Sequence, residues 1–324
     1  MSNTKTVLFA FPGQGAQYPG IGKDLFDTYD SVKDTYSEAS EILGYDMAKL
    51  SFEDPNNEIN LTRFTQPVLV THHIACLRLF IELSDQIINP SFAAGHSLGE
   101  YSALLSAGSI DFKQALNLVS TRGQLMSEHG QGEMEALMME YDDARALADE
   151  FYCGVAALNL KDQTVVGGMP DDLAALAEAM KERFPRKRST RLKTEGAFHT
   201  YYMVEAAKRF RSALDATPFN APAFEVCSNY TGGFHNESAA SIRSRLFMQL
   251  INPVMWVNNL NHAVAQGVDL IIEFGGGIGK GETAQDKRPN LEGIVKKTFR
   301  GHDSPPEHLA VINLATLENT LSHL

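Results

Sequence analysis

Cysteine is scarce: Cys76, Cys153 and Cys227 are the only three in 324 residues, odd in number, far apart and without CxxC spacing. Neither a disulfide framework nor a cysteine zinc site is indicated, and reduced core thiols are expected. Long apolar runs are missing as well. The amino-terminal "MSNTKTVLFAFPGQG" has an apolar run of only about seven residues before Pro12 and Gly13, too short for a secretory h-region or a membrane span. It reads as the first strand of a cytoplasmic protein. Basic residues are outnumbered, 28 Lys and Arg against 40 Asp and Glu, and the net charge of −12 argues against nonspecific binding to nucleic acid or an anionic membrane. Cofactor signatures are incomplete. "GQGAQY" carries Tyr18 where a dinucleotide-binding loop needs its last glycine, and "FGGGIGKGE" carries Phe274 and Gly281 where a phosphate loop needs glycine and Ser or Thr. No HExxH-type spacing calls for a metal.

What is present is an ordinary globular composition, 44% hydrophobic and 21% charged, in a chain long enough for one sizeable core and a smaller second unit. "TVLFAF" reads as a buried strand ending at the turn "PGQG", followed by a helical pattern from 21 to 43. Thr65 or Gln66 caps a helix with Pro67 in its first turn, running apolar to Leu83. "SFAAG" is a short strand before helices at 98–106 and 111–129. Strand and helix alternation implies an α/β core with a parallel sheet, to which "FEVCSN", "VDLIIEF" and "LAVINL" contribute further strands. From about 132 to 194 the texture becomes strand, helix, two strands, helix, strand, the order of a ferredoxin-like unit. The expected domains are therefore a large one, residues 1–131 and 198–324, and a small inserted one, residues 132–197.

"AAGHSLGEYSALLSAG", residues 93–108, sets Ser97 between Gly95 and Gly99 at a strand-to-helix turn. This is the pattern of a nucleophile elbow, in which flanking glycines allow a strained serine and a close helix. The amide of Leu98 then stands at a helix start, where it can meet a developing oxyanion. Ten histidines are available as base. His96 supports the turn, and His199 in "GAFHTYYM" is the candidate facing Ser97 from the junction where the inserted unit rejoins the core.

"FAFPGQGAQYPGIG", "RFTQPVL", "GHSLGEYSALLSAGSIDF", "TRGQLM", "GAFH", "SNYTGG" and "QLINPVMW" follow one another in an order that resembles the malonyl-CoA:acyl carrier protein transacylases, including the trans-acting acyltransferases of polyketide synthases. The resemblance runs from about residue 7 to 275. It implies an α/β-hydrolase-like large domain with the ferredoxin-like insertion. It implies Ser97 as acylated nucleophile, His199 as base and later acid, a backbone carbonyl near Gln249 orienting the imidazole, and an oxyanion hole of the Gln14 and Leu98 amides. Arg122 would pair with the free malonyl carboxylate, with Gln66, Met126, Phe198 and Gln249 as further substrate-binding residues. Leu98 and Phe198 match the malonyl-preferring pattern, since Phe198 would crowd an α-methyl branch. Coenzyme A enters as a thioester substrate, with no cofactor, and a monomer suffices.

The partner so implied is an acidic acyl carrier protein. "KERFPRKRSTRLK", residues 181–193, has seven Lys or Arg against Glu182, and Arg186, Lys187, Arg188 and Arg191 are the candidate docking residues on an otherwise acidic chain. Two features depart from the family. Gly276 replaces the proline of a Gly-Pro-Gly turn and an extended polar loop follows, read as a surface insertion or the mark of a subgroup with another donor or partner. Glu133 and Glu135 stand where small residues are common near the cleft. Rival readings are an acyl hydrolase clearing carrier proteins, transfer of another dicarboxylic acyl group such as succinyl, and a noncatalytic docking subunit, which would lack Ser97, His199 or Arg122.

Overall fold

The computed structural model describes residues 5–84 and 88–324. The first four residues of the amino-terminal strand reading lie outside them. Five strands form a parallel sheet: β1 (Val7–Phe11), β2 (Phe92–Gly95), β7 (Glu225–Val226), β8 (Leu270–Phe274) and β9 (Glu307–Val311), in the order β7-β2-β1-β8-β9. β1 lies in the middle with all five residues buried, which is why its sequence is a continuous apolar run without alternation. Helices Thr62–Leu83 and Phe112–His129 pack against each other beside it. The remaining strands, β3 (Glu133–Leu137), β4 (Gly154–Leu160), β5 (Gln163–Gly168) and β6 (Ser189–Leu192), form an antiparallel sheet in the order β4-β5-β3-β6. Counted within the unit that order is 2-3-1-4, the ferredoxin-like arrangement.

The antiparallel sheet has two apolar faces. Leu137 and Val166 pack with residues of helices Tyr141–Glu150 and Pro170–Arg183 in a separate small core, while Met134, Ala157 and Val165 belong to the main core. A second link comes from the segment after helix Ala239–Gln249. Leu158 N–H donates to Val254 O at 2.8 Å and Val254 N–H to Ala156 O at 2.9 Å, so this segment pairs with the free edge of β4.

Three local expectations are revised. The pattern from 21 to 43 is two helices, Lys23–Thr28 and Asp30–Leu43, broken where Tyr29 adopts an extended backbone. The long helix starts at Thr62, ahead of the expected cap. Thr65 is already helical, its hydroxyl donating back to Ile59 O at 2.6 Å and Leu61 O at 3.1 Å, and Pro67 falls in the second turn. The long polar stretch after Gly276 is not loop throughout, since Glu292–Thr298 within it is a helix. Its beginning packs on the "PGQG" turn, Gly277 N–H donating to Ala16 O at 2.9 Å.

Candidate active site

The carboxyl ends of β1 and β2 open into a cavity of about 170 Å³ lined by Gln14, His96, Ser97, Leu98, Arg122, Met126, Phe198 and His199 from the core, and by Met134, Ala157, Asn159, Val165, Leu192 and Thr194 from the second unit. Such crevices outside the carboxyl ends of parallel strands are the usual ligand sites of α/β sheets.

Ser97 has φ of 49°, in the left-handed region that a side chain disfavours. Its flanking glycines are required sterically. A Cβ on Gly95 would lie 1.9 Å from the Gly99 carbonyl carbon, and one on Gly99 would lie 2.2 Å from Phe11 O. Asn229 fixes the strained turn. Ser97 N–H donates to Asn229 Oδ1 at 2.6 Å and Asn229 Nδ2 donates to Gly95 O at 2.8 Å. The serine amide is thereby turned away from the cavity. The amides of Leu98 and Gln14 show no acceptor among the described residues, and both residues line the cavity.

His199 Nε2 lies 2.7 Å from Ser97 Oγ, and His199 Nδ1 lies 2.7 Å from the backbone oxygen of Gln249. The carbonyl can only accept, so Nδ1 carries the proton and Nε2 is left to accept from the serine. His199 is also left-handed, with φ of 62°. Burial first, and then the positive Arg122, push its imidazole down to about 3 against the opposing Gln249 bond, so the ring is neutral at pH 7.

Arg122 is 1% exposed, and among the described residues no carboxylate pairs with it. Its Nη1 donates to Gln66 Oε1 at 2.9 Å, and its Nη2 to Gln249 Oε1 at 3.0 Å and Ser97 Oγ at 3.2 Å. Its guanidinium carbon sits 5.6 Å from the Tyr101 ring centre, and Nε has no partner. A buried cation hydrogen-bonded only to neutral groups, with the Glu100 carboxylate acting on it without direct contact, stands beside a serine hydroxyl as an incomplete anion site.

Gln66 and Gln249, expected to touch substrate, do not line the cavity; they hold Arg122 from behind because their amide oxygens supply the acceptors a buried guanidinium needs. Gln66 Nε2 also donates to Met126 Sδ at 3.5 Å. Glu133 and Glu135 are likewise not at the cleft. Met134 between them lines the cavity, so the two-residue period of β3 sends both carboxylates to the other face, where Arg191 meets Glu135 at 3.0 Å and Glu133 at 2.6 Å. Arg191 is therefore occupied within its own sheet. Arg186, Lys187 and Arg188 remain exposed just before β6, about 13 Å along the strand from Leu192 on the cavity wall.

Several polar residues of the site were not singled out from sequence. Glu100 is fully buried, with Oε1 at 2.7 Å from His235 Nε2 and Oε2 accepting from Gln249 Nε2 at 2.8 Å and Asn229 N–H at 3.2 Å. Gln249 Nε2 further donates to Ser97 O at 2.9 Å. His96 Nε2 lies 2.8 Å from Asn159 Oδ1, beside Trp256. Among the described residues no group of three His, Cys, Asp or Glu is placed to hold a metal, and no helix is long and apolar enough to cross a membrane.

An elbow serine bonded to an imidazole at the mouth of a parallel sheet is the arrangement of acyl-transfer proteins, and the chain belongs to the acyl transferase family, whose domain model matches residues 8–274. It is 35% identical over 303 residues to the malonyl CoA-acyl carrier protein transacylase of Bacillus subtilis, covering 91% of this chain and 90% of that one. It is 34% identical over 270 residues to PksC of the same organism, a polyketide biosynthesis malonyl CoA-acyl carrier protein transacylase, covering 81% of this chain and 90% of that one. Its fold superposes with a TM-score of 0.87 and 32% identity on a malonyl-transacylase solved in complex with a type II polyketide acyl-carrier protein, over 98% of this chain and all of that one.

Proposed function

We propose that this protein moves a malonyl group from coenzyme A to the phosphopantetheine thiol of an acyl carrier protein through an ester on Ser97. The observation that carries the reading is the buried Arg122, unpaired with any carboxylate among the described residues and 3.2 Å from Ser97 Oγ. An acyl group bearing its own carboxylate completes that site, while a neutral acyl group leaves the charge unsatisfied. Because the cation and the nucleophile are adjacent, 3.2 Å apart, the three-carbon malonyl group fits better than the longer succinyl.

In the first half-reaction His199 Nε2 takes the Ser97 proton as Oγ attacks the thioester carbonyl. The oxyanion receives the Leu98 and Gln14 amides, and the coenzyme A thiolate leaves with the proton from His199. In the second, His199 takes the proton of the carrier thiol, sulfur attacks the ester, and Ser97 recovers its proton. A carboxylate on Arg122 also screens the charge that depresses His199, raising the basicity of the imidazole when substrate is seated. These steps call on no metal or prosthetic group of this protein's own; the phosphopantetheine belongs to the carrier.

Arg186, Lys187 and Arg188 are proposed to receive the acidic carrier, without Arg191. The two-sheet organisation supports residues 132–197 as an inserted domain whose sheet roofs the cavity. The three cysteines, free and buried, suit a reducing compartment, and the cytoplasm is the proposed place of action for the monomer. Intact-mass measurement after mixing with malonyl-CoA tests the chemistry: an adduct on wild type that is missing from Ser97→Ala is expected, and no adduct on either refutes it. Adding a carrier protein should move the group to its thiol; release as free malonate instead would make the protein a hydrolase.

A further inference from the structure

The segment that returns from the second unit to the core carries a carboxylate with no part in the chemistry above. Glu195 is half-buried, four residues before His199. One oxygen accepts from the backbone N–H of Thr62 and the other accepts from Ser127 Oγ at 3.0 Å. Thr62 is the first residue of helix Thr62–Leu83, whose own N-cap residue, Leu61, offers no side-chain cap. Glu195 fills that role from across the molecule, with a negative charge at the positive end of a long helix.

The two anchor points coincide with the parts that must be held in register. Thr62 Oγ1 accepts from Gln14 Nε2 at 3.2 Å, on the turn whose amide faces the cavity. The Thr62 helix carries Gln66, one turn further on, and the Ser127 helix carries Arg122 and Met126. The segment bearing Glu195 carries Thr194, Phe198 and His199, all on the cavity wall. Strained backbone such as that of His199 persists only where its surroundings fix it. Thr200 Oγ1 donating to Ala197 O at 2.6 Å closes the turn across His199, and ahead of it Ala197 N–H donates to Gln131 O at 2.7 Å. Glu195 adds two further bonds on that near side, to the other two helices.

Resting on the acyl-enzyme reading, we propose that Glu195 is a positioning residue: a two-point clamp that docks the His199 segment onto the Gln66 and Arg122 helices, setting the base against the serine and the carboxylate grip. The clamp needs two hydrogen bonds rather than a charge. Glu195→Gln retains both, since its amide oxygen still accepts from Thr62 N–H and its nitrogen can donate to Ser127 Oγ.

The test compares wild type, Glu195→Ala, Glu195→Gln and Ser127→Ala in single-turnover acylation by malonyl-CoA, with thermal midpoints and amide exchange of the 193–203 segment measured alongside. Glu195→Ala should slow acylation of Ser97 by about 10- to 100-fold with little change in the donor concentration needed for half-saturation, as expected when a reacting group is misplaced. Exchange across 193–203 should rise in the same variant. Glu195→Gln should restore both rate and protection, and Ser127→Ala, which removes one anchor and spares the helix end, should fall between. Acylation by Glu195→Ala at the wild-type rate overturns the clamp. So does equal slowing in the Ala and Gln variants, or slowing that tracks a lowered midpoint with exchange across 193–203 unchanged. Absence of an adduct on wild type would instead refute the acyl-enzyme reading, while the exchange measurement still tests the clamp.

Discussion

Replacing Arg122 by Met separates what this cation does for substrate from what it does for the fold. In the free protein the guanidinium is fully buried among Gln66, Gln249, Ser97 and the Tyr101 ring, without an ion-pair partner among the described residues. Its desolvation costs several kcal/mol, by about the amount expected for a buried, unpaired ion. Met removes that cost but leaves the Oε1 atoms of Gln66 and Gln249 without their donor, a penalty of about 1–3 kcal/mol each. The two effects oppose each other, so the thermal midpoint of Arg122→Met should stay within a few degrees of wild type. For the malonyl donor nothing offsets the loss. A buried charge pair broken from one side costs about 2–5 kcal/mol, which is roughly 30- to 5,000-fold in kcat/KM. Acetyl-CoA, which cannot use the cation, should lose little or gain. Stopped-flow acylation of Ser97 with both donors, with intact mass as endpoint, reads the ratio directly. A malonyl kcat/KM within about fivefold of wild type, or an acetyl rate that falls in parallel, would refute the assignment of Arg122 to the carboxylate.

Acidification should destabilise the protein through its buried neutral histidines. His72 and His199, held by burial at about 4 and about 3, bind no proton in the fold below 6.5 while the unfolded chain does. Stability is therefore complete above 6.5 and lost as pH falls, by about 1.4 kcal/mol per pH unit for each ring. From pH 7.5 to 5.5, read from denaturant midpoints, the two rings together should cost about 3 kcal/mol, with His73 and His96, also pushed down by burial, adding to the loss, and His199→Ala should lessen the total change by about 1.4 kcal/mol; an unaltered slope contradicts the assignment. Gly95→Ala, whose Cβ would overlap the Gly99 carbonyl, should cost about 3 kcal/mol or more in urea unfolding and abolish the Ser97 adduct. Phe198→Ser should raise the methylmalonyl-to-malonyl ratio of kcat/KM by about 10-fold or more, and an unchanged ratio would clear Phe198 of excluding the branch. Reversing Arg186, Lys187 and Arg188 to Glu should raise the KM for the carrier and flatten its salt dependence while malonyl-CoA still acylates Ser97; an unaffected carrier KM would move the docking surface elsewhere.

The parts of the site visible in the sequence are those confined to a few consecutive residues. A GxSxG turn, a "PGQG" turn and a "GAFH" junction each state their own backbone requirement, and the strands beneath them declare themselves by unbroken apolar runs. The partners that hold those turns do not, because they lie a hundred residues or more away: 132 between Ser97 and Asn229, 135 between Glu100 and His235, 133 between Thr62 and Glu195. Nothing local in "SNYTGG" or "KTEGAFH" says which amide an Asn or Glu will meet. Glu133 and Glu135 show a different limit. Their alternation with Met134 is legible, but which face of β3 roofs the cavity depends on how the sheet docks. The early start of the long helix has the same origin, since its first N–H finds its acceptor in Glu195 and needs no capping side chain in its own sequence.

That network also explains how two left-handed residues coexist in one site. Ser97 and His199 together carry backbone strain of about 2–6 kcal/mol, and strain of that size survives only when surrounding bonds leave no alternative. Gln249 supplies most of them. Its backbone oxygen accepts from His199 Nδ1–H, its Nε2 donates to Ser97 O, and its Oε1 accepts from Arg122 Nη2. Base, nucleophile and carboxylate grip thus refer to one residue, which Glu100 fixes through the same Nε2. Glu100 is in turn held by His235 and by the amide of Asn229, the residue that anchors the Ser97 amide, so the circuit closes. A shift of any member displaces the serine, the imidazole and the guanidinium together. The spacing of Ser97, His199 and Arg122 on the cavity wall is therefore set by the buried circuit behind them, together with the segment that carries His199.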